Sequence, residues 1–217
     1  MKIKSFDIFV WSMTFLFVVA IFFMPETLPI HWDYNWQVDG YGSRYYLLIL
    51  ALLPILVYYG MLLTLKIDPR RKNLENRQKT YNIFRYGLTC FFIVLSSFFY
   101  YLSLNPHAQV KNILLLMLAV ILIGMGNYMP KVPQNYFLGI KTPWTLANEY
   151  VWKKTHKIGG YTWIVIGFVI AAYSLFDLPY EYIVMVVLLL GDVIFMMIYS
   201  YMIYRRVHTK NIDDYDK

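Results

Sequence analysis

Three groups of polar side chains, set among long apolar runs, are the places where this chain could do chemistry. The largest lies in residues 126–160 and holds Asn127, Asn135, Tyr136, Gly139, Lys141, Thr142, Pro143, Trp144, Glu149, Trp152 and His156. The second lies in residues 25–44, where His31, Trp32, Asp39 and Arg44 join an aromatic surface to opposite charges. That composition suits recognition of a peptide or a lipid headgroup, and equally a self-satisfied cap over a helical bundle. The third is a lone carboxylate, Asp192, midway through the apolar run 182–204. A carboxylate there costs roughly 3 kcal/mol, so it is expected to face the bundle interior, as a functional group or a hydrogen-bonded packing residue. Metal binding would draw on His31 with Asp33 and Asp39, or on Glu149 with His156. Neither set has the spacing of a recognised zinc site, since six residues separate Glu149 from His156. Nucleophilic catalysis is no better served: Cys90 is expected to be buried in a span, and no serine sits in a nucleophile elbow. The glycines form no phosphate-binding loop. These residues imply neither an enzyme nor a cofactor.

What must position them is a membrane-embedded bundle. The chain is 59% hydrophobic, 19% aromatic and only 15% charged, with a mean hydropathy of +0.46, which excludes an ordinary soluble domain. Apolar segments cover 6–24, 45–65, 84–104, 112–129, 161–176 and 182–204, with Pro54 kinking the second. Lys2 and Lys4 precede the first, which is too long for a signal peptide and lacks its cleavage site, so it reads as a retained span. Asp7, at its inner end, reads as structural. Gly40 and Gly42 are expected to turn the loop at 25–44, and Asn105-Pro106-His107 and Asp177-Leu178-Pro179 to turn the chain between later spans.

Of the 20 Lys and Arg residues, 18 lie before the first span, in 66–85, in 126–160 and after residue 204. By the positive-inside rule, both termini, the basic connector and the central stretch are cytoplasmic, and the loop at 25–44 faces outward. The formal charge of +7 is therefore a topology signal and no nucleic-acid footprint. The expected fold is an all-α integral membrane protein with six transmembrane helices. It divides into an N-terminal helical hairpin with its outer loop (1–66), a basic connector with the third span (67–110), spans four to six with the central stretch (111–204), and a polar, frayed tail (205–217).

The central stretch has a legible local order. Pro130 and Pro133 should stop the preceding helix. Gly139 offers a turn, and Thr142-Pro143 reads as an N-cap followed by proline at the first helical position. A short helix should run from Trp144 to Lys157, with Glu149 and Lys153 paired and Trp152 and His156 on a neighbouring face. Gly159-Gly160 should end it. Trp144 and Trp152 are expected at the membrane interface, with Glu149, Lys153 and His156 presented to the cytosol.

Two stretches carry a family resemblance. Gly126-Asn127, Pro130-Lys131, Asn135-Tyr136, the run Gly139 to Leu146, Glu149, Trp152 and Thr155-His156 resemble the signature of the SdpI family of bacterial membrane proteins. Lys141 stands where many relatives carry arginine. Pro29, His31, Trp32, Asp39, Gly40, Tyr41, Ser43 and Arg44 resemble a short domain of unknown function, DUF1648, often found at the start of those proteins. The glycine of its usual Asn-x-x-Gly is missing from Asn35-Trp36-Gln37-Val38. The resemblance implies immunity of a Gram-positive cell to a secreted antimicrobial peptide. It also implies, for some members, a receptor that holds a cytoplasmic repressor at the membrane. A small transporter or lipid-handling enzyme is the alternative reading. The partners implied are membrane lipid, an extracellular peptide and a cytoplasmic repressor.

Overall fold

The computed structural model describes residues 5–106, 108, 110–176 and 178–213, with side chains through Thr209. Lys2, Lys4, His107, Asp177 and residues 214–217 lie outside the described residues. In chain order the elements are α1 (Ser5–Ile21), β1 (Thr27–Trp32), β2 (Val38–Ser43), α2 (Leu47–Ile67), α3 (Arg71–Asn76), α4 (Gln78–Leu104), α5 (Val110–Tyr128), α6 (Pro143–Ala147), α7 (Glu149–Phe176) and α8 (Glu181–Asp213). Among the described residues five helices are long and apolar enough to cross a membrane: α2, α4, α5, α7 and α8, with mean hydropathies of 1.7 to 2.5. The chain is a membrane protein. The first apolar segment forms a helix of 17 residues, shorter than those five. Its last turn tightens into i→i−3 bonds at Phe22, Phe23 and Met24 before Pro25.

Two compact units divide the chain, Met1–Leu63 with Arg85–Met117, and Thr64–Phe84 with Leu118–Lys217. In the first unit, Phe17, Ile21, Leu28, Leu47, Ala51, Ile93 and Tyr100 form one buried cluster. A second gathers Phe98, Leu102 and Val110 with Trp32 and Trp36. Pro54 sits inside α2, where it removes the donor that the Leu50 carbonyl would use. The Ser96 hydroxyl of α4 replaces that donor, at 2.8 Å from the Leu50 oxygen. In an apolar surrounding an unpaired carbonyl is costly, so the proline is tolerated because a neighbouring helix satisfies it. The Tyr58 hydroxyl donates to buried Asp7 at 2.6 Å, and the Arg85 guanidinium lies 4.7 Å from the ring centroids of both Tyr58 and Tyr86.

Residues 25–44 are no irregular loop. They form an antiparallel hairpin where a loop was expected, with Thr27 opposite Ser43 and Trp32 opposite Val38 and irregular register around His31. Gly40 and Gly42 are strand residues and do not make the turn. A Cβ on Gly40 would lie 2.9 Å from the His31 Cβ, and one on Gly42 would lie 2.8 Å from Ile30. The turn is built by Asp33, whose Oδ1 accepts from the backbone N–H of Asn35 and of Gln37. Trp36 takes the left-handed position, at φ 62°.

In the second unit α5 ends at Tyr128 and a 3-10 turn carries Pro130, as proline geometry requires. Four further expectations are corrected. The helix after Pro143 breaks at Asn148, which is extended at φ −140° and ψ 126°, and whose Oδ1 accepts from Tyr150 and Val151 to start α7. Helix α7 then passes through Gly159 and Gly160 without ending, because these glycines are contact points. A Cβ on Gly160 would come within 2.6 Å of the Gly126 carbonyl of α5, and one on Gly167 within 3.0 Å of the Ala119 carbonyl. Such small-residue crossings let two helix backbones approach closely. Cys90 is exposed on the surface of α4, against the expectation of a packed position. Helix α8 continues to Asp213, through residues expected to form a frayed tail.

Candidate functional site: a hydrogen-bonded knot in residues 130–156

The centre of the knot is His156, fully buried. Its Nδ1–H donates to the Trp152 carbonyl one turn back, at 2.9 Å, and its Nε2 accepts from the Ile140 backbone N–H, also at 2.9 Å. A neutral imidazole carrying its hydrogen on Nδ1 satisfies both contacts. The ring stacks on Trp152, with centroids 3.9 Å apart and an interplanar angle of 19°. Trp152 is itself fully buried and donates its indole N–H to the Val132 carbonyl at 2.9 Å. Neither side chain is presented as expected: His156 does not face solvent and Trp152 does not lie at an interface. Gly139, at φ +110°, brings the chain over the ring so closely that a Cβ there would stand 2.2 Å from the His156 Nε2.

Asn135 organises the approach to Gly139. Fully buried, it donates to the Pro133 and Leu138 carbonyls and accepts from the backbone N–H of Phe137 and of Leu138. That uses both amide hydrogens and both acceptor sites of the side chain. Thr142 starts α6 with a capping box: its Oγ1 accepts from the Thr145 N–H, and Thr145 Oγ1 accepts from the Thr142 N–H. The Thr142 hydroxyl also donates to Ser200 of α8 at 3.0 Å. Pro143 occupies the first helical position, and Trp144 packs against Tyr201 with ring centroids 5.1 Å apart.

The other polar candidates of the stretch are exposed. Lys141 donates to the Phe137 carbonyl at 3.1 Å, Glu149 pairs with Lys153 at 2.7 Å, and Asn127 and Tyr136 show their side chains to the surface. The structure brings together Asn135, Gly139, Thr142, Trp152 and His156, and leaves Asn127, Lys141 and Glu149 on the outside.

Sequence reasoning missed the partners that hold the stretch from the basic connector. Asp68, 2% exposed, accepts from the Arg70 N–H at 2.6 Å and from the Tyr136 N–H at 2.9 Å. Arg70 donates to the Leu146 carbonyl and lies 5.1 Å from the Tyr136 ring centroid. Asn73 donates to the Gln134 carbonyl, and Gln134 in turn donates to the carbonyls of Thr145 and Leu146. The available signal was Asp68-Pro69-Arg70, an acidic residue beside a turn-forming proline within a basic run.

In the other unit, His31 Nδ1 pairs across the hairpin with Asp39 at 2.5 Å, and both side chains are exposed. Trp32 packs toward Phe99, and Arg44 donates to the Phe22 and Met24 carbonyls beyond the end of α1. Trp32 and Arg44 therefore fasten the hairpin down, while His31 and Asp39 remain at its surface. Asp192 is half-buried: Oδ2 accepts from the Trp163 indole at 3.0 Å, Oδ1 is buried without a partner among the described residues, and a shallow cavity of about 380 Å³ adjoins it. Among the described residues no three His, Cys, Asp or Glu side chains could hold a metal ion together. Most of the knot's polar groups bond to backbone, an arrangement that shapes a surface; the buried Thr155 hydroxyl has no partner among the described residues.

Residues 131–200 match the model of the SdpI/YfhL protein family, and residues 8–57 match that of the domain of unknown function DUF1648. The chain is 27% identical over 209 residues to the immunity protein SdpI of Bacillus subtilis, covering 96% of this chain and 99% of that protein. No solved structure matches the chain.

Proposed function

We propose, from the premise that this membrane protein joins an SdpI/YfhL-family region to a DUF1648 region, that it confers immunity on its cell against a secreted antimicrobial peptide. The observation that carries this reading is the end-to-end likeness to an immunity protein, over 96% of this chain and 99% of the relative. The knot supports it, because the family region 131–200 contains most of the residues that build it. The host is a Gram-positive bacterium, and the cell membrane is the place of action. Peptide meets the hairpin surface at His31 and Asp39. A cytoplasmic repressor is held by the exposed face of the central stretch, at Lys141, Glu149 and Lys153. Outer-side binding shifts a two-state bundle and so changes that face. His156 belongs to the frame and not to the recruiting surface.

Deletion in the native host should sensitise it to its own secreted peptides, and the wild-type chain should restore growth. Lys141→Ala with Glu149→Ala should keep protection while a tagged regulator no longer moves to the membrane on adding peptide. Sensitivity unchanged by deletion would reject immunity, and joint loss of protection and recruitment in the double variant would reject the division of labour.

The orientation proposed is six spans with both termini in the cytoplasm, supported by where Lys and Arg fall. In a background lacking Cys90, a cysteine at exposed Gln37 should react with an impermeant thiol reagent in intact cells. One at exposed Asn76 should react only after lysis. Labelling of Asn76 in intact cells would reverse the orientation.

A further inference from the structure

Through its described side chains, helix α8 covers 29 residues, Glu181–Thr209, around an apolar core long enough to cross a membrane. At 1.5 Å per residue that is about 43 Å, against a hydrocarbon layer of roughly 30 Å. A helix of that length carries its surplus turns to headgroup level, and the C-terminal ones hold Tyr204, Arg205, Arg206 and Thr209. Beside them lies an open cleft of about 860 Å³ between α8 and the first turn of α7. It is lined by Tyr150 of α7 and by Met202, Ile203, Arg205, Arg206 and Val207 of α8.

Among the described residues that line the cleft, the charged side chains, Arg205 and Arg206, have one sign. Arg205 lies 6.0 Å from the Tyr201 ring centroid, and Lys154, outside the lining, lies 5.4 Å from the ring centroid of the lining residue Tyr150. Among the described side chains no carboxylate lines the cleft, and the nearby Glu149 is paired with Lys153. Among the described residues neither Arg205 nor Arg206 takes part in an ion pair. Cations on an apolar wall, at the depth of the lipid headgroups, match one ligand chemistry: a phosphate carried on hydrocarbon chains.

We propose that this cleft binds an anionic phospholipid, its phosphate between Arg205, Arg206 and Lys154 and its acyl chains along Met202, Ile203 and Val207. Such a site fixes the end of α8, whose Ser200 receives the Thr142 hydroxyl, and so ties lipid composition to the central knot. It holds whether or not the protein confers immunity.

The full chain, purified in mild detergent, is titrated with phosphatidylglycerol and with phosphatidylcholine, and retained lipid is counted by native mass spectrometry. Wild type should retain phosphatidylglycerol preferentially. Arg205→Gln with Arg206→Gln should weaken that retention about 25-fold, each cation near a lipid phosphate contributing roughly fivefold. Arg205→Lys with Arg206→Lys should keep most of it. Arg71→Gln with Lys72→Gln, exposed on α3, should leave it unchanged. Equal retention of the two lipids by wild type would overturn the proposal. So would equal loss in the α3 variant, full loss in the lysine variant, or displacement by inorganic phosphate at matching concentration, which would make the cleft a general anion site.

Discussion

Gly139→Ala is expected to leave the protein without an ordered central stretch. At φ +110° an alanine is strained by about 1–3 kcal/mol before any contact is considered. Its Cβ would also stand 2.2 Å from the His156 Nε2. The imidazole has no room to retreat, because it is fully buried and stacked 3.9 Å from Trp152. If it moves, the Ile140 N–H loses its acceptor, a further cost of about 1–3 kcal/mol. Together these terms are a large part of a total stability of about 5–15 kcal/mol. The melting temperature in detergent should fall sharply and yield with it. Gly124→Ala is the control, since nothing lies within 4 Å of its Cβ position, and it should be neutral or slightly stabilising. Adding His156→Ala to Gly139→Ala removes the clash but not the backbone strain, so recovery should be partial. A Gly139→Ala protein that melts with wild type would mean that the glycine does not ride on the histidine.

The parts of this architecture that were legible in the sequence are those set by local chemistry. Long apolar runs announce helices whatever they pack against, so α2, α4, α5 and α8 follow from hydropathy alone. Thr142-Pro143 announces its helix start because the cap and the fixed φ are properties of adjacent residues. Gly139 reads as a turn for the same reason. What failed was anything decided by a distant partner. Gly159-Gly160 looks like a helix end, yet Gly160 lets α5 approach and Gly159 clears space for Ile140 and Met196. Gly40 and Gly42 look like turn residues, yet they clear space for His31 and Ile30 across a hairpin. His156 looks like a polar residue on an amphipathic helix, and only the fold brings the Ile140 N–H to its ring. The family pattern ran through Asn135, Gly139, Lys141, Glu149, Trp152 and His156 without separating frame from surface. The structure does separate them: Asn135, Gly139, Trp152 and His156 build the frame, and Lys141 and Glu149 stand outside it.

Asp68→Asn should loosen the same frame from the opposite side. The Asp68 carboxylate is 2% exposed and each of its oxygens accepts one backbone N–H, from Arg70 at 2.6 Å and from Tyr136 at 2.9 Å. Bonds to an ionised acceptor contribute about 1.5–3 kcal/mol each, more than neutral ones. An asparagine keeps one acceptor and turns an amide N–H₂ toward the other backbone N–H, so one bond is lost and two donors face each other. The expected cost is about 2 kcal/mol or more. Asp68→Leu strands both backbone donors and should cost more still. The loss falls where the connector grips the central stretch, so Arg70 over Tyr136 and Asn73 on the Gln134 carbonyl should weaken with it. Limited proteolysis should then cut within 133–138 in the Asn variant while the apolar helices stay intact. Tyr136→Phe is the control, because it leaves the backbone N–H in place. If Asp68→Asn resists protease and heat as wild type does, the carboxylate is no clamp. The exposed face at Lys141 and Glu149 would then be held by the His156 knot alone.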